Sequence, residues 1–261
     1  MTTTKEILTL TAEIGDAMLR NGAEIYRVED SLVRILKAYN IENFDIYVLS
    51  NGIFASANEG LDDSCSIIRH TPLGDVNLRK ISALNQLTRD ICCKHCDVKT
   101  AWKRLDECLN SPSPDKRLLC FFCGLGCSCF TYLFGGTILD SIMAFVAGFF
   151  LEIFLLYCAH QKLSRFTKNV FASIVAMTLS LLPLLFGLKI SYDKIVIGVI
   201  MPLVPGITFT TSIRDFYNGD YLSGTIHLID ALLTALCIAA GVGIVISIYQ
   251  SINGGVPVLW F

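Results

Sequence analysis

Apolar positions first recur at helical spacing. Ile7, Leu10, Ile14, Ala17 and Met18 form one stripe within residues 4–20, with polar residues between them. Asn21-Gly22 interrupts it, and a second stripe runs through Ile25, Val28, Leu32, Ile35, Leu36 and Tyr39. Glu24, Glu29 and Asp30 sit in or near its first turns, where the positive end of a helix dipole favours acids. From Phe44 the period shortens to two, Phe44, Ile46 and Val48 alternating with Asp45 and Tyr47. Asn51-Gly52 separates this run from Ile53–Ser56 and predicts a hairpin, because both residues tolerate positive φ. Cys65–His70 predicts a third strand, and Asn77–Cys93 and Val98–Leu109 predict two further helices.

Past the short linker Ser111-Pro112-Ser113-Pro114 the alternation of polar and apolar positions gives way to long apolar runs. Five segments, at about 118–134, 138–159, 169–188, 194–213 and 221–249, have the length a tilted membrane-spanning helix needs. Gly135-Gly136 predicts a tight turn between the first two. The fourth segment is irregular. Within Ile200–Asp215 it carries Pro202, Pro205 and Gly206, then Thr208, Thr210, Thr211 and Ser212, then Arg214 and Asp215. Proline removes a backbone donor and pushes its ring at the preceding turn, so this span is expected to kink or open. In hydrocarbon such a break persists only where protein or a water-lined cavity satisfies the freed groups. The expected fold is a polytopic α-helical membrane protein of about five transmembrane helices (residues 116–261), with an N-terminal cytoplasmic α+β domain (residues 1–115).

Composition supports that division. Residues 1–117 hold 17 of the 23 acidic and 15 of the 21 basic residues, whereas the chain as a whole has a mean hydropathy of +0.56. Lys5, Glu6, Glu13, Asp16 and Arg20 interrupt the first 22 residues, so no secretory apolar stretch is expected there. Lys116 and Arg117 precede the first span, Lys162, Arg165 and Lys168 follow the second, and Arg214 follows the fourth. The positive-inside rule then places the N-terminus inside, in the cytoplasm, and the C-terminus, Pro257–Phe261, outside. A net charge of -2 gives no reason to expect a nucleic-acid partner. The eleven cysteines fit reduced thiols rather than a disulfide framework.

Ionisable groups within spans are costly and mark candidates. Asp230 lies near mid-depth of the fifth span, with His227 three residues before it and Thr234 four after, on one helical face. Asp230 and His227 suit a proton relay or a coupling-ion site, or an interhelical hydrogen-bond network. Glu152 is the other buried acid. The hydroxyls from Thr208 to Ser212 fit a polar substrate path beside a half-helix N-terminus, or a kinked helix satisfying its own carbonyls. Arg214 and Asp215 fit a substrate or gate contact, or an interfacial ion pair. Cys120, Cys123, Cys127 and Cys129 read as small packing residues. Cys92 and Cys96 share a face near His95 without a second ligand pair at zinc spacing. No metal site, cofactor or catalytic residue is expected, and no phosphate loop or hydrolase motif is present.

Three stretches together resemble the bacterial threonine/serine exporter family: Asn21–Asp30, Leu49–Ile53, and Pro202–Gly206 followed by Asp215 and Gly219. Gly22, Ala23, Glu24, Arg27 and Glu29 match the family's cytoplasmic motif, and Pro202, Pro205, Gly206 and Asp215 match its membrane motif. Glu152 and the cysteine cluster at 92–96 lie outside the pattern. The resemblance implies secondary export of threonine and serine, or of succinate as in a related two-subunit branch, to whose P subunit this chain is similar. It also implies a separate small integral membrane subunit as partner, carrying the counterpart of the proline break. The function expected is therefore a transporter subunit for small carboxylate metabolites, not an enzyme. A membrane-anchored sensor or scaffold, whose cytoplasmic domain binds a metabolite or protein, is the alternative.

Overall fold

A computed structural model describes residues 3–58, 64–72, 74, 76–94, 96–112, 114–161 and 163–252. Packing divides the chain into two compact units: Met1–Pro112 with Thr211–His227, and Ser113–Thr210 with Leu228–Phe261. The return of residues 211–227 to the N-terminal unit has no signature in hydropathy.

The first unit opens with α1 (Thr4–Arg20), started by Thr3, whose side chain accepts from the Glu6 N–H. Gly22 ends this corner at φ 80°, a conformation that favours glycine. Then come α2 (Ile25–Ala38), β1 (Phe44–Leu49), β2 (Gly52–Asn58), β3 (Ser64–His70), α3 (Leu78–Lys94) and α4 (Val98–Leu109). The strands pair antiparallel in the order β1-β2-β3. Leu49 pairs with Gly52, so Ser50 and Asn51 make the hairpin corner, one residue earlier than expected. Asn51 is not at positive φ, and Gly52 is a strand residue close to the Arg69 carbonyl. Close backbone approach, not left-handed φ, is what glycine provides here.

Long aliphatic side chains fill the core of this unit: Leu8, Leu10, Ile14 and Met18 of α1, Leu32, Ile35 and Leu36 of α2, Ile53 of β2, and Leu84, Leu87 and Ile91 of α3. The stripes at spacing three and four are the buried faces of α1 and α2. Asp16 is buried among them with its charge matched, accepting from Arg20 Nε at 2.6 Å and from Thr71 Oγ1 at 2.7 Å.

The second unit contains α5 (Lys116–Leu133), α6 (Ile138–Ala159), α7 (Arg165–Leu185) and α8 (Tyr192–Ile200). A 3₁₀ turn, Met201–Leu203, leads to α9 (Gly206–Tyr217), and α10 (Tyr221–Ile252) follows. Among the described residues four helices are long and apolar enough to cross a bilayer, and the bent pair Tyr192–Leu203 and Gly206–Tyr217 makes a fifth if it is counted as one broken span. The turn at Gly135-Gly136 forms as expected, with Gly135 at φ 82° and the Gly136 N–H donating to the Thr131 carbonyl at 2.9 Å.

Small residues let these helices approach. A Cβ on Gly148 would lie 2.9 Å from Cys127 Cβ, and one on Gly198 would lie 2.7 Å from the Cys127 carbonyl oxygen. One on Gly241 of α10 would lie 2.6 Å from the Val170 carbonyl of α7. Among lipid-soluble helices, where burial of apolar surface gives little drive to associate, such close backbone packing holds the bundle.

Candidate functional site

The fourth span breaks by 58° between Leu203 and Gly206. Val204 is extended at φ -64°, ψ 128°, as expected for a residue crowded by the ring of a following proline. Pro205 therefore ends the helix, while Pro202 is accommodated within the 3₁₀ turn. The helix restarts at Gly206, which is exposed and has nothing within 4 Å of where a Cβ would stand. Two of the hydroxyls that follow bond to backbone. Thr210 Oγ1 donates to the Gly206 and Ile207 carbonyls, and the buried Ser212 donates to the Gly224 carbonyl at 2.9 Å. Thr208 and Thr211 are half-buried.

Three stretches far apart in sequence meet within the N-terminal unit. Glu24 stands at the N-cap of α2 but makes no capping bond. Its carboxylate instead pairs with Arg214 of α9 through Oε1 and with Arg27 through Oε2, the latter at 3.3 Å. Full guanidinium charges outcompete the partial charge of a helix end. The hairpin contributes Ser50, whose N–H donates to Ser223 Oγ at 3.2 Å. Gly22 brings the chain against Val76, and the Ala23 N–H donates to the Met18 carbonyl at 3.0 Å, fixing the approach to Glu24.

Asp215 faces away from its neighbour's ion pair and meets His227, whose Nδ1 lies 2.8 Å from Asp215 Oδ2. Both side chains are largely shielded, at 4% and 14% exposure, so the pair interacts with little screening from water. Gly219, at φ 88°, turns the chain between α9 and α10 and allows this return. Two further acids lie close by. Burial, and then Asp220, hold the Glu29 carboxyl above its ordinary range, and burial, and then Asp215, do the same to Asp220.

His227 and Asp230 take different partners despite their helical spacing. Asp230 accepts from Arg165 Nη1 of α7 at 3.0 Å. Thr234 is buried, and its hydroxyl has no hydrogen-bond partner among the described residues. Glu152 of α6 is half-buried beside the Cys123 and Cys120 thiols of α5. Cys92 and Cys96 are free, half-buried thiols, and His95 lies outside the described residues.

Three contributors escaped the sequence reading. Arg165 figured there only as a loop base and Asp220 not at all, and neither has a local motif. Asp140, at the start of α6, is fully buried. It forms a capping box with Thr137 and accepts from the Ser191 N–H at 2.9 Å. The Thr-x-x-Asp spacing before an apolar run was the available signal.

The ThrE family model, described as "Putative threonine/serine exporter", matches residues 9–249. A "Threonine/serine exporter" of Corynebacterium glutamicum is 26% identical over 97% of this chain and 53% of its own length. A "Probable threonine/serine exporter" of Mycobacterium tuberculosis is 23% identical over 98% of this chain and 48% of its own. The chain thus spans about half the length of these two relatives. A "Probable succinate transporter subunit YjjP" of Klebsiella aerogenes is 22% identical over 88% of both chains. No solved structure matches the chain. A family match running from α1 into the last turns of α10 spans both units and the broken helix, and the chain belongs to the threonine/serine exporter family.

Proposed function

We propose that this chain is a subunit of a secondary transporter that exports small carboxylate metabolites, threonine and serine or a dicarboxylate such as succinate, across the plasma membrane. Membership of an exporter family implies a carrier rather than an enzyme. The reading rests on the broken fourth span. A helix that stops at Val204 and restarts at Gly206 offers a positive dipole end and the N–H groups of its first turn after Gly206, whose own N–H donates to the Val204 carbonyl at 2.8 Å, the arrangement by which carriers hold anionic groups. The substrate path assigned to it runs from Pro202, Pro205 and Gly206 past Thr208, Thr210, Thr211 and Ser212 to Arg214 and Asp215. Thr208 and Thr211 are its principal hydroxyls, because Thr210 and Ser212 donate to carbonyls.

Coupling is assigned to two pairs, Asp215 with His227 and Asp230 with Arg165, and to Glu152. A carboxylate whose partner is a histidine or an arginine can exchange that partner for a proton or a cation during a cycle. Glu24, approached through Gly22 and Ala23 and shared with Arg27, serves as the anchor that holds α9 through Arg214, and Glu29 of the same motif lies near Asp220. The N-terminal unit is assigned to the cytoplasm on the positions of Lys116, Arg117, Arg165 and Lys168. A second small membrane subunit is the partner, by analogy with the relative named as a subunit and with carriers built from two related halves.

The test is efflux of labelled threonine, serine and succinate from loaded cells expressing the chain with a candidate partner. Accelerated efflux of at least one is expected, and unchanged efflux of all three would sink the assignment. Asp230→Asn is expected to abolish ion-linked efflux with the protein still inserted. Wild-type efflux kinetics would remove Asp230 from the coupling step.

A further inference from the structure

A groove of about 400 Å³ opens in the N-terminal unit, lined by Arg27, Asp30 and Arg34 of α2 and by Asn85, Arg89 and Cys92 of α3, among others. We propose that this groove binds a small dianion, carrying paired carboxylate or phosphate oxygens, and that Glu24 links its occupancy to α9.

The charge balance carries the argument. Three guanidiniums line the groove against one carboxylate, Asp30. Asp30 engages Arg34, at Nε, 2.9 Å away, and no other cation among the described residues. Arg27 meets Glu24, again through Nε. Arg89 meets no carboxylate among the described residues, and donates through Nε and Nη2 to the neutral Gln86 Oε1 at 3.1 and 2.9 Å. Most of the Nη groups thus remain for a ligand, and a guanidinium fork matches a carboxylate or phosphate with two parallel bonds. Burial pushes the Cys92 thiol up, so it stays protonated and adds no opposing charge. The volume suits a small metabolite, and the two helices bring arginines to it from both sides.

The link to α9 runs through one carboxylate. Glu24 holds Arg27 with Oε2 and Arg214 with Oε1. A dianion that draws Arg27 into the groove leaves Glu24 wholly to Arg214, tightening the hold on α9. The consequence for export rests on the function proposed above, whereas the binding does not.

The experiment titrates the purified full-length chain in detergent with succinate and, separately, with inorganic phosphate, by calorimetry at low and high salt. Saturable binding of at least one, weakening with salt, is expected, and the better binder identifies which oxygens the groove prefers. Arg34→Gln and Arg89→Gln should each weaken binding by about tenfold or more, as loss of a charged hydrogen bond does. Asp30→Asn, which removes the competing carboxylate, should tighten it. Absence of saturable binding by both anions overturns the proposal, as does binding that both arginine variants retain at full strength. Should the arginine variants fail to fold, Asp30→Asn decides alone, and unchanged affinity there is equally fatal. Absence of export with this binding present would count against the transporter reading and leave the groove standing.

Discussion

The two units solve the same problem with opposite residues. The N-terminal unit fills its centre with Leu8, Leu10, Ile14, Leu32, Ile35, Leu36, Leu84 and Leu87. The membrane unit mixes Cys127, Ala144, Ala147, Ala172 and Ala176 with Leu151, Ile195, Val199, Leu203 and Ile238 at its centre, and turns other large apolar residues such as Phe122, Phe150, Leu232 and Leu236 outward. Water rewards removal of a large side chain from solvent, so the first unit buries its bulk. Lipid gives no such reward, and helices there gain by bringing backbones together over small residues. Composition is therefore a record of which solvent each unit was selected against.

The strongest test of that contrast removes bulk from each core. Leu36→Ala should destabilise the N-terminal unit by about 2–5 kcal/mol, seen as lost amide protection in α1 and α2. Leu151→Ala, at a position equally buried in α6, should cost its unit clearly less, since the deleted side chain's alternative surroundings are lipid. Equal losses would break the comparison. The converse substitution adds bulk. Gly198→Ala drives a Cβ to 2.7 Å from the Cys127 carbonyl, and overpacking of this kind should cost about 1–3 kcal/mol, read as earlier thermal unfolding of α5 and α8.

The smallest effect concerns charge. Burial raises the folded values of Glu29 and Asp220, so each binds its proton more tightly folded than unfolded. Their contribution is fully present below the unfolded carboxylate range and is lost as pH rises through the raised folded values. Glu29→Gln should therefore raise the melting temperature slightly at neutral pH and leave it little changed in acid. Melts recorded from acid to neutral pH check this, and a gain confined to acid would reverse the sign.

Hydropathy and period made the elements readable. The helices at residues 4–20, 98–109 and 138–159 have the bounds expected of them; capping threonines, Thr3 and Thr137, start the first and last, whereas Asp97 starts the second without a side-chain capping bond. The hairpin corner moved by one residue because the Gly52 pairing to Leu49 was decided across strands. The break at Pro202–Gly206 was legible, but the identity of the residue that stops the helix was not, since it depends on which of two prolines the backbone accommodates. Least legible were the pairings. Helical spacing suggested His227 with Asp230, and adjacency suggested Arg214 with Asp215. The fold gives all four other partners: Glu24 from α2, Arg165 from α7, and Asp215 with His227 across the turn at Gly219. Local spacing describes which face a residue occupies, and only tertiary packing says what stands opposite.

Asp140 has a consequence for movement. Its second oxygen holds the Ser191 N–H, and Lys194 Nζ reaches the Gly135 carbonyl at 2.7 Å, so the connection between α5 and α6 is fastened twice to the start of α8. Any cycle that parts these connections must break both bonds before it gains anything in return. In the exporter proposed above, that end of the bundle would be the fixed part.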